Sequence, residues 1–183
     1  LVTYEYIDWA DRCHRNTDRY QAWRQYIQRM TEKGLQEEVM KETDLLCKDA
    51  EKRKDKYGMA SGEMCIGYNH RVFGQNIKLC LEYYDSALKH FEEGKYYRDA
   101  YVVSLNIIQT YLARQSYSDA VPYLDRLGQL GKTVEGKDVV IGEALYMRYY
   151  QFRVIAVLGI KGEKAAAPYI REANAYYLKN KES

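Results

Sequence analysis

Apolar residues recur at steps of three and four along nearly the whole chain, with charged residues between them. From Leu35 to Tyr57 they fall at Leu35, Val39, Leu46, Ala50 and Tyr57, with Lys and Glu filling the gaps. A helix turns once in 3.6 residues, so this spacing makes one buried stripe on a long surface helix. No segment alternates with period two. The one β-branched cluster, Val139-Val140-Ile141, runs into a helical stretch. Helices are expected over about 2–15, 18–33, 35–57, 59–73, 76–93, 96–114, 117–130, 139–159 and 163–179. Gly34, Gly58, Gly94 and Gly162 stand between periodic runs, where a left-handed cap favours a residue without Cβ. One longer loop is expected from Gly131 to Gly136 and on through Lys137-Asp138. Connections this short set successive helices antiparallel.

Three stretches share one cadence: Cys80 to Ala87, Ala120 to Leu127 and Ala166 to Ala173. Each opens on a small residue. An aromatic follows three on (Tyr83, Tyr123, Tyr169), then a large residue, then an apolar or small one at seven. Pro122 and Pro168 fall at the same step of the pattern. Each is expected near the first turn of its helix, where a missing N–H is tolerated.

This cadence resembles the tetratricopeptide repeat. Cys65-Ile66-Gly67-Tyr68, Phe73-Gly74 and Cys80 to Leu88 make one copy, with Gly67, Cys80 and Ala87 at the small positions and one extra residue in the turn near Gln75-Asn76. Ile107-Ile108, Tyr111, Tyr117, Ala120, Tyr123 and Leu127 make a second, with Ile108 where the family has glycine. Val154 to Leu158, Ala166, Tyr169 and Ala173 make a third, again without the glycine. The anchors Cys80, Ala120 and Ala166 are 40 and 46 residues apart. The family period is about 34 residues, so the array is irregular.

The resemblance implies an all-α fold, a right-handed superhelix (α-solenoid) of antiparallel hairpins. It is read as one domain over 1–183, with hairpins at about 18–57, 59–93, 96–130 and 139–179, and 2–15 as a half repeat. It further implies an inner face built from the first helix of each pair. That face would carry Met64, Tyr68 and Arg71, then Leu105, Gln109 and Leu112, then Arg148, Gln151 and Ile155. Such a mixture suits an extended peptide or a partner helix, with Arg71 and Arg148 able to grip a carboxylate. The family's Lys and Asn set for clamping a terminal carboxylate is missing. The Tyr-rich, irregular repeats also resemble the sensor regions of Bacteroides-type two-component regulators. That resemblance implies an extracytoplasmic portion of a membrane-anchored protein; a cytoplasmic scaffold is the other reading.

Composition sharpens this. The 183 residues are 46% hydrophobic and 30% charged, as a folded chain requires. There are 20 tyrosines against 3 phenylalanines, and Tyr combines an aromatic body with a polar tip. A net charge of +2 gives no basis for nucleic-acid binding. The densest basic run, Lys52-Arg53-Lys54-Asp55-Lys56, reads as a solvated helix end. No run of about 18 apolar residues is present, so no membrane contact is expected of this segment. The start at Leu1-Val2-Thr3, without Met and already helical in pattern, reads as a piece of a longer protein.

Cys13, Cys47, Cys65 and Cys80 lack paired metal-ligand spacing and read as small core residues. Cys65 and Cys80 are expected near one another, as thiols. His14, His70 and His90 assemble with no nucleophile. His90 reads as a cation near a helix C-terminus. Glu37-Glu38 and Glu92-Glu93 diverge on a helix. No enzyme activity, cofactor or metal is therefore expected. The expected partner is a protein or peptide. Tyr4, Tyr6, Ile7 and Trp9, with no hairpin partner before them, add an expectation of homodimers.

Overall fold

The computed structural model describes residues 4–74, 76–135 and 139–181. These residues form helices with no strand among them. In unit one lie α1 (Tyr4–Arg12), α2 (Asn16–Glu32), α3 (Gln36–Arg53), α4 (Lys56–Asn69), a π-helical segment (His70–Gly74) and α5 (Ile77–Glu93). In unit two lie α6 (Tyr97–Ala113), α7 (Tyr117–Val134), α8 (Glu143–Lys161) and α9 (Glu163–Lys181). The all-α class is observed. The two compact units are Leu1–Lys95 and Tyr96–Ser183, and their boundary falls between the second and third expected hairpins.

One turn geometry recurs. A residue with positive φ ends one helix, and the next residue, near φ −80 to −100° and ψ +60 to +70°, opens the following helix at Arg15, Leu35, Tyr96 and Ser116. The positive-φ residues are His14, Gly34, Lys95 and Gln115. Arg15, Leu35 and Ser116 also donate their N–H groups to the carbonyls of Ala10, Met30 and Tyr111, closing the last turn of each preceding helix. The break between α3 and α4 uses the same closure. Lys54 takes φ +53°, Asp55 N–H bonds Ala50, and the Asp55 carboxylate then caps α4 by accepting from Gly58 N at 2.8 Å.

This corrects several expectations. Gly58 is no cap: it lies inside α4, and the break is at Lys54 and Asp55. Gly94 is right-handed at φ −78°, and Lys95 carries the left-handed conformation instead. Gly34 and Gly162 do take positive φ. The helix α7 runs through Gly131 to Val134, so the loop begins later than expected; Gln75, Gly136, Lys137 and Asp138 lie outside the described residues. Val139 to Ile141 precede α8, which Gly142 opens at φ +92°. Pro122 and Pro168 are each the sixth residue of their helix, past the first turn, so each removes one i→i−4 bond. Cys13 is exposed, whereas Cys65 and Cys80 are buried thiols. Arg53 is not simply solvated, because Asp49 and Asp11 hold it.

Packing within each unit follows one rule. In the first unit α4 packs against α2, α3 and α5; in the second α8 packs against α6, α7 and α9. The opening helix of one hairpin thus touches both helices of the hairpin before it, as in helical repeats. The small residues that start the three cadences, Cys80, Ala120 and Ala166, are all 0% exposed.

Tyrosine rings fill the places where helices lack side chains. A Cβ on Gly58 would meet Tyr20 Cζ at 2.5 Å, and one on Gly67 would meet Tyr84 Cδ1 at 2.7 Å. In the second unit, a Cβ on Gly159 would meet the Tyr117 ring at 2.5 Å, and one on Gly128 the Tyr149 hydroxyl at 2.8 Å. Gly159 lies on α8 and Tyr117 on α7, so this contact joins α8 to the hairpin before it, whereas Gly67 and Tyr84 join α4 and α5.

Ion pairs tie α1, α2 and α3. The Asp49 carboxylate accepts from Tyr20 Oη at 2.9 Å, from Arg19 Nη2 at 3.1 Å and from Arg53 Nε at 3.1 Å. Arg53 Nη1 reaches Asp11 at 2.5 Å. Burial pushes the Asp49 carboxyl up, but the bonds from Tyr20 and Arg19 outweigh it and leave the group below the usual carboxylate range. Glu42, also buried, accepts from Trp23 Nε1 at 2.9 Å and from the Tyr4 hydroxyl. On α1, Ile7 is buried while Tyr4, Tyr6 and Trp9 stay 39–46% exposed.

Two outcomes follow from this packing. Gly67→Ala lowers unfolding free energy by about 1–3 kcal/mol despite alanine's better helix propensity, because Tyr84 is fully buried and the Cys80 carbonyl lies 3.1 Å from the new Cβ. Urea unfolding reads it, and a neutral or stabilising effect would refute the close approach. Asp49→Asn leaves the buried Arg19 guanidinium, whose side chain is 9% exposed, with the more distant Asp11 at 3.8 Å as its charged partner, and lowers stability by about 1.5–3 kcal/mol at pH 7. Since the Asp49 pKa is depressed in the fold, its contribution is present above the free-carboxyl pKa of about 3.9 and is lost as pH falls through the lower folded value. The gap between Asn variant and wild type therefore narrows in acid.

Candidate functional site

The second unit holds a cleft of 560 Å3 among α6, α7, α8 and α9. Helical spacing assembles it. On α8, Tyr146, Tyr149, Tyr150 and Arg153 lie at steps of three and four or adjacent to such a step, so they share one side of the helix. Tyr101 enters from α6 and Tyr176 from α9. On α7, Gly128 and Gly131 face them and leave room for the rings.

The rings interlock. Tyr101 meets Tyr146 edge-on at 5.5 Å, Tyr146 lies 6.0 Å from Tyr176, and Tyr150 lies 4.9 Å from Tyr176. Arg153 is held in place from several sides. It donates to the Tyr149 hydroxyl at 3.2 Å, lies 4.6 Å over the Tyr169 ring and sits 3.7 Å from Glu172. Lys132, Asp125 and Glu135 add charges of both signs at the edge. Burial raises the pKa of Tyr101, Tyr146, Tyr149, Tyr150 and Tyr176 above the ordinary phenol value. These phenols stay protonated at neutral pH, able both to donate and to accept, beside aromatic faces and an oriented guanidinium.

The nine residues expected on an inner face are placed as follows. Leu105 is fully buried, and that corrects its placement on a binding surface. Its neighbours Gln109 and Leu112 are half-buried. Arg148 Nη2 donates to Gln109 Oε1 at 3.1 Å and covers the Phe152 ring at 5.5 Å, so the α6 and α8 stripes do meet. Gln151 and Ile155 are exposed. In the first unit, Arg71 covers the Tyr68 ring at 4.9 Å, and Met64 accepts a weak bond from Arg24 Nη1 at 3.2 Å. His90 stands in the last turn of α5, where a dipole cation was expected, and it also meets Glu63 Oε2 at 2.8 Å, with Ser86 donating to the other oxygen.

The tyrosines of the second unit were not among the expected site residues. Their signal in the sequence is the excess of Tyr and the Tyr146, Tyr149, Tyr150, Arg153 spacing, which lies on a different stripe of α8 from Arg148, Gln151 and Ile155. Among the described residues no group of His, Cys, Asp or Glu is placed to hold a metal, and no helix is long and apolar enough to cross a membrane.

No family model matches this chain, and no curated protein or solved structure matches it significantly.

The raised phenol pKa values have a measurable consequence. Below the free-phenol value of about 10 the contribution of these groups is fully present, and it is lost as pH rises through their higher folded values. Stability to urea therefore declines from about pH 10 upward, and Tyr101→Phe reduces the slope of that decline. A 295 nm titration in which all phenols of the native chain ionise together near pH 10 would contradict the burial of the cluster.

Proposed function

We propose that this chain is a non-catalytic binding module that captures a protein or peptide segment in the tyrosine-lined cleft of the second unit. The observation that carries this is the cleft's chemistry. Protonated phenols bond a peptide backbone in either sense, aromatic faces cover its side chains, and Arg153 presents a fixed cation beside Glu172. Tyrosine and arginine dominate binding energy at protein interfaces because they give large, amphipathic contact area. The packing of one hairpin on the next inside each unit supports reading the whole as a tetratricopeptide-like helical repeat, in which a superhelix presents such surfaces.

The same reading makes the chain the sensing or interaction region of a bacterial signal-transduction protein, on the resemblance of its Tyr-rich irregular repeats to two-component sensor regions. A cytoplasmic scaffold or adaptor is the alternative. The gene's flanking sequence separates them: a membrane helix with a kinase or DNA-binding region beyond Ser183 favours the sensor, and a stop codon there removes it.

The cleft is tested by panning a random dodecapeptide library on the purified chain and titrating enriched peptides by fluorescence anisotropy. Tyr150→Ala weakens the enriched peptides at least tenfold, about 1.4 kcal/mol, while Gln151→Ala on the opposite, exposed side changes affinity less than twofold. Enrichment of nothing, or equal loss in both variants, discards the cleft as the binding site.

A further inference from the structure

In the first unit, α3, α4 and the π-helical segment enclose a second cleft, of 350 Å3, which the proposed peptide site does not use. Its lining is mostly apolar, with Met40, Ile66 and Phe73 beside the Cys47 thiol. Of the polar residues in it, Gln36, Thr43, Asp44, Asn69 and His70, one has a buried acceptor that the chain leaves unmet. Asn69 lines the cleft, is only 5% exposed, and its side-chain oxygen accepts no hydrogen bond from the chain. A buried acceptor left unmet is costly, and native structures contain few of them.

The orientation of this amide is set by a short relay. Thr43 Oγ1 donates its single proton to the Val39 carbonyl at 2.8 Å. That hydroxyl can then only accept, and Asn69 Nδ2 donates to it at 3.0 Å. Turning the amide over would set its oxygen against the acceptor lone pairs of Thr43. The oxygen is therefore the atom left over, and what it lacks is a donor. Charge is already settled at the rim, where Lys48 holds Asp44 at 2.6 Å. The π-helical segment ends the cleft, contributing Phe73 and His70, whose ring is stacked on Tyr83 at 5.9 Å and 17°. π-helical turns are rare and are frequent at functional sites.

We infer that this cleft binds a small neutral aromatic molecule carrying one N–H or O–H donor, with that donor on Asn69 Oδ1 and the ring among Met40, Ile66 and Phe73. A purely apolar guest leaves the oxygen unmet, and an anion meets it with the wrong sign. The volume lies at the lower end of the range for ligand pockets, which fits one or two fused rings. Methionine suits the rim because its thioether packs well on ring edges.

Indole and N-methylindole are the probes, titrated into the 15N-labelled chain and followed by NMR. Indole shifts the Asn69 side-chain amide and the backbone signals of Met40, Ile66 and Phe73 in a saturable way, and N-methylindole, lacking the donor, binds at least tenfold more weakly. Asn69→Leu abolishes that discrimination. Met40→Trp, at a site 53% exposed and so compatible with folding, closes the mouth and weakens indole at least tenfold. Equal affinity for the two probes in the wild type would mean that water meets the oxygen, and the inference falls. Saturable shifts confined to other residues, or none with either indole or 2-naphthol, overturn it as well.

Discussion

Helices in this chain come together where a glycine on one meets a tyrosine ring on another. Gly58 with Tyr20, Gly67 with Tyr84, Gly128 with Tyr149 and Gly159 with Tyr117 are all closer than a Cβ would permit. A glycine in a helix interior costs roughly 1 kcal/mol of propensity, so its use at repeated contacts needs a compensating gain. The gain is a large flat surface buried against backbone, without the void that a smaller side chain would leave. The hydroxyl at the ring's end then needs a partner or water. Tyr20 gives its proton to Asp49, which in turn anchors Arg19 and Arg53, so the ion network of the first unit hangs from a ring that is there to fill a glycine. The preference for tyrosine over phenylalanine follows, since the same ring seals one contact and organises the next.

The two units use this device to different ends. In the first, the ring edges are used up in hydrogen bonds and cation contacts: Arg24 donates to Tyr57 at 2.8 Å and also covers Phe91. The aromatic surface left exposed there is on α1, at Tyr4, Tyr6 and Trp9, away from those contacts. In the second, glycines on α7 and five tyrosines of α6, α8 and α9 line an open cleft. Packing and binding are thus built from the same residue pair, and the difference lies in whether the space beside the ring is filled by another helix.

Much of the fold was legible because periodicity survives irregular spacing. Nine helical runs were readable from apolar steps of three and four, and the small cadence residues Cys80, Ala120 and Ala166 turned out fully buried. Boundaries were less legible where backbone conformation does not follow residue type. His14, Lys54, Lys95 and Gln115 adopt the left-handed conformation although each has a Cβ, because the hydrogen bonds that close the preceding helix outweigh the local strain. Glycine therefore marked only some of the turns, and Gly58 marked a contact instead. The site was the least legible part. Periodicity tells which residues share a helix face, and Arg148, Gln151 and Ile155 do share one, but it cannot tell which face an adjacent helix covers. Leu105 shows the difficulty: it keeps the step of three or four from Gln109 and Leu112, yet it is entirely buried.

Both clefts lie beside helical positions that lack a bulky residue or a regular backbone. A close-packed interior has few voids larger than water, so a cleft of several hundred Å3 must be maintained by something that resists collapse. In the second unit, rings that meet edge-on or tilted hold one wall open, because moving Tyr146 or Tyr176 inward would lose contacts with two other rings. In the first, the wider backbone of His70–Gly74 sits at the end of the cleft, and the relay from Val39 through Thr43 to Asn69 braces α3 against α4. Both are rigid elements with polar atoms placed before any ligand arrives. Preorganisation of that kind lowers the entropy lost on binding, which is the main cost a small or extended ligand must overcome.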